Sequence, residues 1–230
     1  MMAILLLTRP AAASARTRAE VERLRPGQRV VVSPVIEIVP VAFATGTVPA
    51  GLILTSENGA EAAGRLGLPH GLRAWCVGAQ TAEAARMAGF DAVSAEGDAE
   101  ALLQLILAGE DRGPLLHLRG EHARGDIAPR LRAAGREARD VVVYRQDERA
   151  LNAEAQAVLA GPAAVVLPLY SPRSASILAA QGPFAAPLRL IAISRPTLKA
   201  AGALGAAEAR IIGNPDGREM LSAIAESLSD

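Results

Sequence analysis

The chain has 230 residues, half of them hydrophobic and 3% aromatic, and its 24 basic and 24 acidic side chains leave no net charge. That length suits two small domains or one large one. The neutral balance excludes a global field that would recruit nucleic acid or a membrane surface. Lys199 is the only lysine, so the basic set is nearly all arginine. Coding bias accounts for the total, while guanidinium recognition of carboxylate or phosphate stays open for individual arginines.

In chain order, Ala3 to Leu7 reads as a buried strand and Ala11 to Leu24 as an amphipathic helix stopped by Pro26-Gly27. Val30 to Val32 and Val35 to Val39 are extended, punctuated by Pro34 and Pro40. Strand Gly51–Leu54 precedes helix Asn58–Leu66, and strand Ala74–Val77 precedes helix Gln80–Ala88, which Gly89 ends. Ala92-Val93 is a short strand, and Asp98 caps a helix to Leu107. Leu115 to Leu118 is a strand, Gly125 to Ala134 a helix, Val141 to Tyr144 extended, and Ala153 to Leu159 a helix. Asp216-Gly217-Arg218-Glu219 has the form of a capping box for a last helix, Met220 to Leu228. Alternating strands and helices mean parallel sheets covered on both faces. Cys76 stands alone in an apolar strand, which argues against a disulfide framework and for a reducing, cytoplasmic setting. The run from Ala3 to Leu7 is too short for a signal segment, and nothing approaches a membrane span.

The pattern repeats. Leu52-Ile53-Leu54-Thr55-Ser56 and, further on, Trp75-Cys76-Val77-Gly78 to Thr81 are echoed by Val166 to Ser174 and by Ile191-Ala192-Ile193-Ser194 to Thr197. A weaker echo pairs Leu5-Leu6-Leu7-Thr8-Arg9 with Leu115-Leu116-His117-Leu118-Arg119. The copies do not split the chain into contiguous halves. The arrangement that fits is one lobe from 1–33 and 147–230, a second from 38–140, and linker strands at 34–37 and 141–146. Two such crossings can pair as a ribbon and act as a hinge.

Candidate chemistry sits in the turns. GxGxxG, Walker, GxSxG and HExxH motifs are absent. His117, Glu121 and His122 match no zinc spacing, so no metal is expected. Thr55, Ser56 and Asn58, and in the other copy Ser171, Arg173 and Ser174, lie where a strand ends and a helix begins; Thr81 and Thr197 do so one unit later. Ligands of open α/β sheets bind beyond such strand ends, and helix N-termini there favour anions. Each residue taken singly is explained as a helix cap; the repeated set points to a cleft for a polyanion. Arg9 and Arg119 end matching strands, and Arg119-Gly120 enters a turn able to cradle a carboxylate. Tyr144 lies in the second crossing segment, where a phenol facing the cleft and a ring packed at an interface are equally good readings.

At these residues the chain resembles the uroporphyrinogen-III synthase family, along its whole length and in order: LLTRP, PVIEIVP, ILTSENGAEAA, CVGAQTAEAARMAGF, LHLRGEHARGDIAPRLRAAG, VVVYR, SPRSASIL and IAISRPTLKAAGALG. The resemblance implies two flavodoxin-like lobes with parallel sheets, joined by a two-stranded extended linker. It implies a cofactor-free enzyme that closes hydroxymethylbilane to uroporphyrinogen III with inversion of the terminal ring and loss of water. A transient contact with the preceding pathway enzyme is the only protein partner expected. Carried over, the family's cleft tyrosine falls on Tyr144, its Thr-Ser turn on Thr55 and Ser56, and its VGxxTA turn on Gly78 and Thr81. Its SPS turn falls on Ser171, Arg173 and Ser174, with Arg173 in place of a small residue. Its IGxxT turn falls on Ser194 and Thr197, with Ser194 in place of glycine and Pro196 before the threonine.

A phenol with pKa near ~10 is protonated at neutral pH and can assist departure of the hydroxymethyl oxygen. Pyrrole is already nucleophilic, so the harder task is orientation. The rival from another class is a non-catalytic two-lobe protein that binds small anions; a flavin or nucleotide site is disfavoured by the few donors in Pro10-Ala11-Ala12-Ala13-Ser14.

Overall fold

The computed structural model describes residues 3–43, 46–109, 113–123, 125–214 and 217–229. Its elements run β1 (Ile4–Leu7), α1 (Ala11–Leu24), β2 (Val30–Val32), β3 (Ile36–Pro40), β4 (Gly51–Leu54), α2 (Glu57–Gly64), β5 (Arg73–Cys76), α3 (Ala79–Met87), β6 (Asp91–Ser94) and α4 (Ala99–Ala108). There follow β7 (Leu115–Gly120), α5 (Ile127–Ala133), β8 (Ala138–Glu148), α6 (Ala153–Ala160), β9 (Val165–Leu169), α7 (Pro172–Ala179), β10 (Leu188–Ala192), α8 (Arg195–Ala200), a 3-10 turn (Gly202–Leu204), β11 (Glu208–Ile211) and α9 (Gly217–Ser227).

The central strands are uninterrupted hydrophobic runs. β1, β4 and β9 bury every residue, as parallel strands covered on both faces must. Helix starts follow local chemistry. Ser56, Asp98, Asn152, Ser171 and Ser194 each accept a backbone N–H of the helix that they precede, which satisfies donors the first turn leaves open. The Ser56 cap is why α2 begins at Glu57, one residue before the start that hydrophobic periodicity suggests. Asp216, the first residue of the expected capping box, lies outside the described residues. At the other end of that box, the Glu219 carboxylate accepts the Gly213 and Asn214 N–H groups at 2.5 and 2.7 Å.

Two compact units result: Met1–Glu37 with Asp147–Asp230, and Ile38–Gln146. The first holds a parallel sheet in the order β2-β1-β9-β10-β11, the flavodoxin-like order. In the second, β8-β7-β4-β5-β6 occupy the same five places, with β3 added outside β8. The two sheets are thus one architecture entered at different points: β7 and β8 take the places of β1 and β2 but come last in their unit. Each sequence echo joins strands in equivalent places, β4 with β9, β5 with β10, and β7 with β1. Beside β8, the bonds from Val41 N–H to the Val143 carbonyl (3.0 Å) and from Arg149 N–H to the Val35 carbonyl (2.9 Å) form an antiparallel ribbon. This is the extended pair expected of the two crossing segments, and its second strand is longer than expected.

In the second unit, α2 and α3 cover one sheet face over Leu52, Leu54, Cys76, Leu116 and Leu118. The other face packs Ile53, Trp75 and Leu115 against Leu102, Ile106, Ile127 and Leu131 of α4 and α5. Small residues bring α2 close: a Cβ on Gly59 would stand 2.7 Å from the Leu118 carbonyl oxygen. Among the described residues, no helix is long and apolar enough to cross a membrane.

Candidate functional site

The helices that follow β4 and β7 lie on opposite faces of their sheet, α2 on one and α5 on the other. Between two such strands the carboxyl ends leave a crevice, and here it is a cavity of about 220 Å³ walled by Thr55, Ser56, Val77, Gly120, His122 and Tyr144 among others. A larger concavity, about 590 Å³, lies between Leu24–Gln28 and the end of α9, away from the strand carboxyl ends.

Four residues singled out by sequence meet at the smaller cavity. Ser56 Oγ accepts the Gly59 N–H at 3.1 Å and lies 3.0 Å from the Tyr144 hydroxyl. Tyr144 arrives there through a slip in the β7–β8 ladder: Arg119 pairs with Val142, but Gly120 pairs with Tyr144. Such a bulge re-aims a side chain. Val143 and Tyr144, adjacent in sequence, both pack into the cluster under α2 and α3. The ring then lies directly over Gly120, where a Cβ would stand 2.5 Å from Cε2 and 2.8 Å from the hydroxyl oxygen. Tyr144 is buried to 7% exposure, and it lines the cavity wall beside Ser56.

Thr55, the fourth, leads to His117, which sequence reasoning weighed only as a metal ligand, and to Asp140, which it passed over. Its hydroxyl lies 3.2 Å from His117 Nε2, and His117 Nδ1 lies 2.8 Å from Asp140 Oδ1. His117 is buried. The hydrogen bond from His117 holds the Asp140 carboxyl below its ordinary range, helped by the charges of Arg119 and Arg132 and opposed by burial. Arg119 Nε is 3.5 Å from the same carboxylate oxygen, while its Nη1 donates to the Gly120 and Glu121 carbonyls at 3.0 and 3.3 Å. A histidine within the apolar run Leu115-Leu116-His117-Leu118 was the available signal for this chain of contacts; Asp140 carries none by itself. Among the described residues no three His, Cys, Asp or Glu side chains group as metal ligands do.

Asn58 is half-buried in the first turn of α2; Gly78 is the N-cap of α3 and offers no side-chain bond; Thr81 is buried within that helix. The first unit carries the rest. At the place matching Thr55 and Ser56 stand Tyr170 and Ser171. The Arg9 guanidinium lies 3.9 Å from the centroid of the Tyr170 ring, a cation–π stack. Burial pushes the Tyr170 phenol up, against the pull of Arg9. Ser171 and Ser174 share a 2.9 Å hydroxyl contact, as do Ser194 and Thr197, and Thr197 is fully buried. Arg173 pairs with Glu148 at 3.4 Å.

The family model described as uroporphyrinogen-III synthase HemD matches residues 18–221. No curated protein matches the sequence. Among solved structures, uroporphyrinogen-III synthetase from Helicobacter pylori 26695 superposes with a TM-score of 0.68 at 16% identity, over 99% of this chain and 100% of that one. A mutant uroporphyrinogen III synthase from the extremely thermophilic bacterium Thermus thermophilus gives 0.51 at 18% identity, over 99% of each chain. At these identities the structural likeness is one of fold.

Proposed function

The chain belongs to the uroporphyrinogen-III synthase family, and on that premise we propose that the cavity at the ends of β4 and β7 is where its reaction is guided. The enzyme cyclises hydroxymethylbilane to uroporphyrinogen III, inverting the terminal pyrrole ring and losing water.

The observation that carries the site proposal is the 3.0 Å contact between Ser56 and Tyr144 at the cavity wall. Two hydroxyls in contact form a relay: when one gives up its proton, the other donates a hydrogen bond to the oxyanion left behind. In the proposed sequence the Tyr144–Ser56 pair gives a proton to the hydroxymethyl oxygen, and the carbon–oxygen bond breaks to release water. The pyrrole nitrogen lone pair fills the deficit, leaving an azafulvenium cation. The substituted α-carbon of the terminal ring attacks it, giving a spiro intermediate that cleaves and recloses in the inverted sense. Loss of the ring-carbon proton restores the pyrrole and returns the proton to the phenol. General acid assistance of this kind is worth ~10²–10⁴-fold. Excluding water and fixing the attacking carbon supply the remainder.

The polycarboxylate substrate needs anion-binding groups. In the second unit the helix start at Gly78 with Arg119, and in the first the helix start at Ser171 with Arg9 and Arg173, are each proposed to hold carboxylate side chains of the substrate. A monomer in the cytoplasm, receiving the bilane by transient contact with the enzyme that makes it, completes the proposal. Such a handover suits a substrate that also closes without an enzyme.

The test is a coupled assay that resolves type I from type III product. The wild-type protein is expected to form type III. Replacing Ser56 and Tyr144 together, as Ser56→Ala with Tyr144→Phe, is expected to shift product towards type I. A double variant with wild-type rate and isomer ratio would remove the cavity from the mechanism.

A further inference from the structure

The duplicated fold provides its own control for the polar chain behind Thr55. In the second unit β7 pairs with β8 so that His117 stands opposite Asp140. In the first unit the equivalent strands β1 and β2 place Leu7 opposite Val32. Leu7 is fully buried there, so this position in the fold is filled by hydrocarbon with no polar partner. The architecture therefore does not require a histidine and an aspartate. Burying the histidine is costly unless it is paired, and in the second unit the two residues line up on the Thr55 hydroxyl at the cavity.

The direction of the hydrogen bonds follows from the half-buried carboxylate at the end of the chain away from Thr55. An ionised carboxylate only accepts, so the His117 Nδ1 that faces Asp140 at 2.8 Å carries the hydrogen. When the ring is neutral, Nε2 is bare and accepts, and the Thr55 hydroxyl, 3.2 Å away, then donates inward to it. With its proton committed to the protein interior, the Thr55 oxygen has only lone pairs to offer the cavity. Beside it the Ser56–Tyr144 pair retains a donor. The wall thus presents an acceptor next to a donor, and the acceptor selects a ligand group bearing N–H or O–H rather than a carboxylate.

Resting on the functional reading above, we propose that Asp140 and His117 are positioning residues that hold the Thr55 hydroxyl as an acceptor for a pyrrole N–H of the bilane. As water departs, positive charge spreads onto that nitrogen, the N–H becomes a stronger donor, and its bond to Thr55 strengthens. An interaction that grows towards the transition state raises kcat rather than lowering KM.

The test uses the full chain labelled with ¹⁵N, which contains three histidines. Long-range ¹H–¹⁵N correlation of the imidazole, assigned by loss of signal in His117→Leu, is expected to show His117 protonated on Nδ1 and bare on Nε2. Asp140→Asn is expected to move the proton to Nε2, reverse Thr55, and lower kcat roughly 10- to 100-fold with KM little changed. Thr55→Val should match that loss, and Thr55→Ser should restore most of it. His117→Leu with Asp140→Val copies the first unit's pair and is expected to keep the melting temperature while kcat stays low. Wild-type kcat in that double variant, or in Thr55→Val should the double variant not fold, overturns the proposal. So does a wild-type ring protonated on Nε2. A wild-type protein that forms no type III product would instead remove the functional reading and the pyrrole contact with it, while the tautomer would still report the hydrogen-bond chain.

Discussion

Gly120→Ala puts one methyl group where the Tyr144 ring lies. The new Cβ would stand 2.5 Å from Cε2, 2.6 Å from Cζ and 2.8 Å from the hydroxyl oxygen. Carbon atoms in ordinary contact sit ~3.5–4.0 Å apart, so the ring must withdraw by about 1 Å. A shift of that size stretches the 3.0 Å contact with Ser56 beyond hydrogen-bonding range. Overpacking costs about 1–3 kcal/mol and the lost hydrogen bond about 0.5–1.5 kcal/mol, so unfolding should become easier by about 1.5–4.5 kcal/mol. A misplacement of about 1 Å at the reacting group should cost on the order of 10²-fold in kcat. Urea unfolding reads the first effect. Chromatography of the oxidised products reads the second, since bilane that escapes the enzyme closes by itself to the type I isomer. The same substitution in a Tyr144→Ala background meets no ring, so most of both penalties should disappear there. Gly120→Ala with wild-type kcat, a wild-type isomer ratio and a stability change under about 0.5 kcal/mol would show that the ring does not hold the position on which the reasoning depends.

Tyr144→Phe keeps the ring on Gly120 and removes the oxygen; kcat should fall ~10²–10⁴-fold with KM little altered, and a near-normal kcat in steady-state assay would end its assignment as the acid. Ser56→Ala removes the α2 cap as well as the phenol's partner; stability should drop about 0.5–2 kcal/mol and activity with it, read by thermal unfolding beside the isomer assay. Burial pushes the Cys76 thiol up to about 11, so it should stay protonated and unreactive to Ellman's reagent at pH 8 until denaturant is added; rapid labelling of native protein would contradict its burial. Asp140 has its folded value lowered, so its contribution is complete above the unfolded value near ~3.9 and is lost as pH falls through the folded one. Asp140→Asn should therefore flatten the acid limb of a stability–pH curve below about pH 4, with little change in its slope above about pH 5.

Local chemistry determined much of this protein from sequence alone. Short apolar runs became the buried strands, and serine or aspartate before Ala-rich segments became helix caps, because strand burial and capping each depend on a few adjacent residues. The echo between copies gave the equivalence of β4 with β9 and of β7 with β1, since equal places in a sheet demand similar hydrophobic patterns. Thr55, Ser56 and Tyr144 were legible as candidates from their turns and from the family resemblance. Edge elements were harder to read. β11 is a mostly exposed Glu-Ala-Arg-Ile, ordered by pairing residue for residue with β10. β8 extends through the polar residues Arg139, Asp140, Arg145 and Gln146 because neighbours on both sides take its backbone bonds. Which side chains converge was decided only by the tertiary structure. Ser56 and Tyr144 are 88 positions apart and His117 and Asp140 are 23 apart; each pair meets through strand register. A ladder slip of one residue, invisible in any local pattern, separates a Tyr144 over Gly120 from one turned to the other face of the sheet.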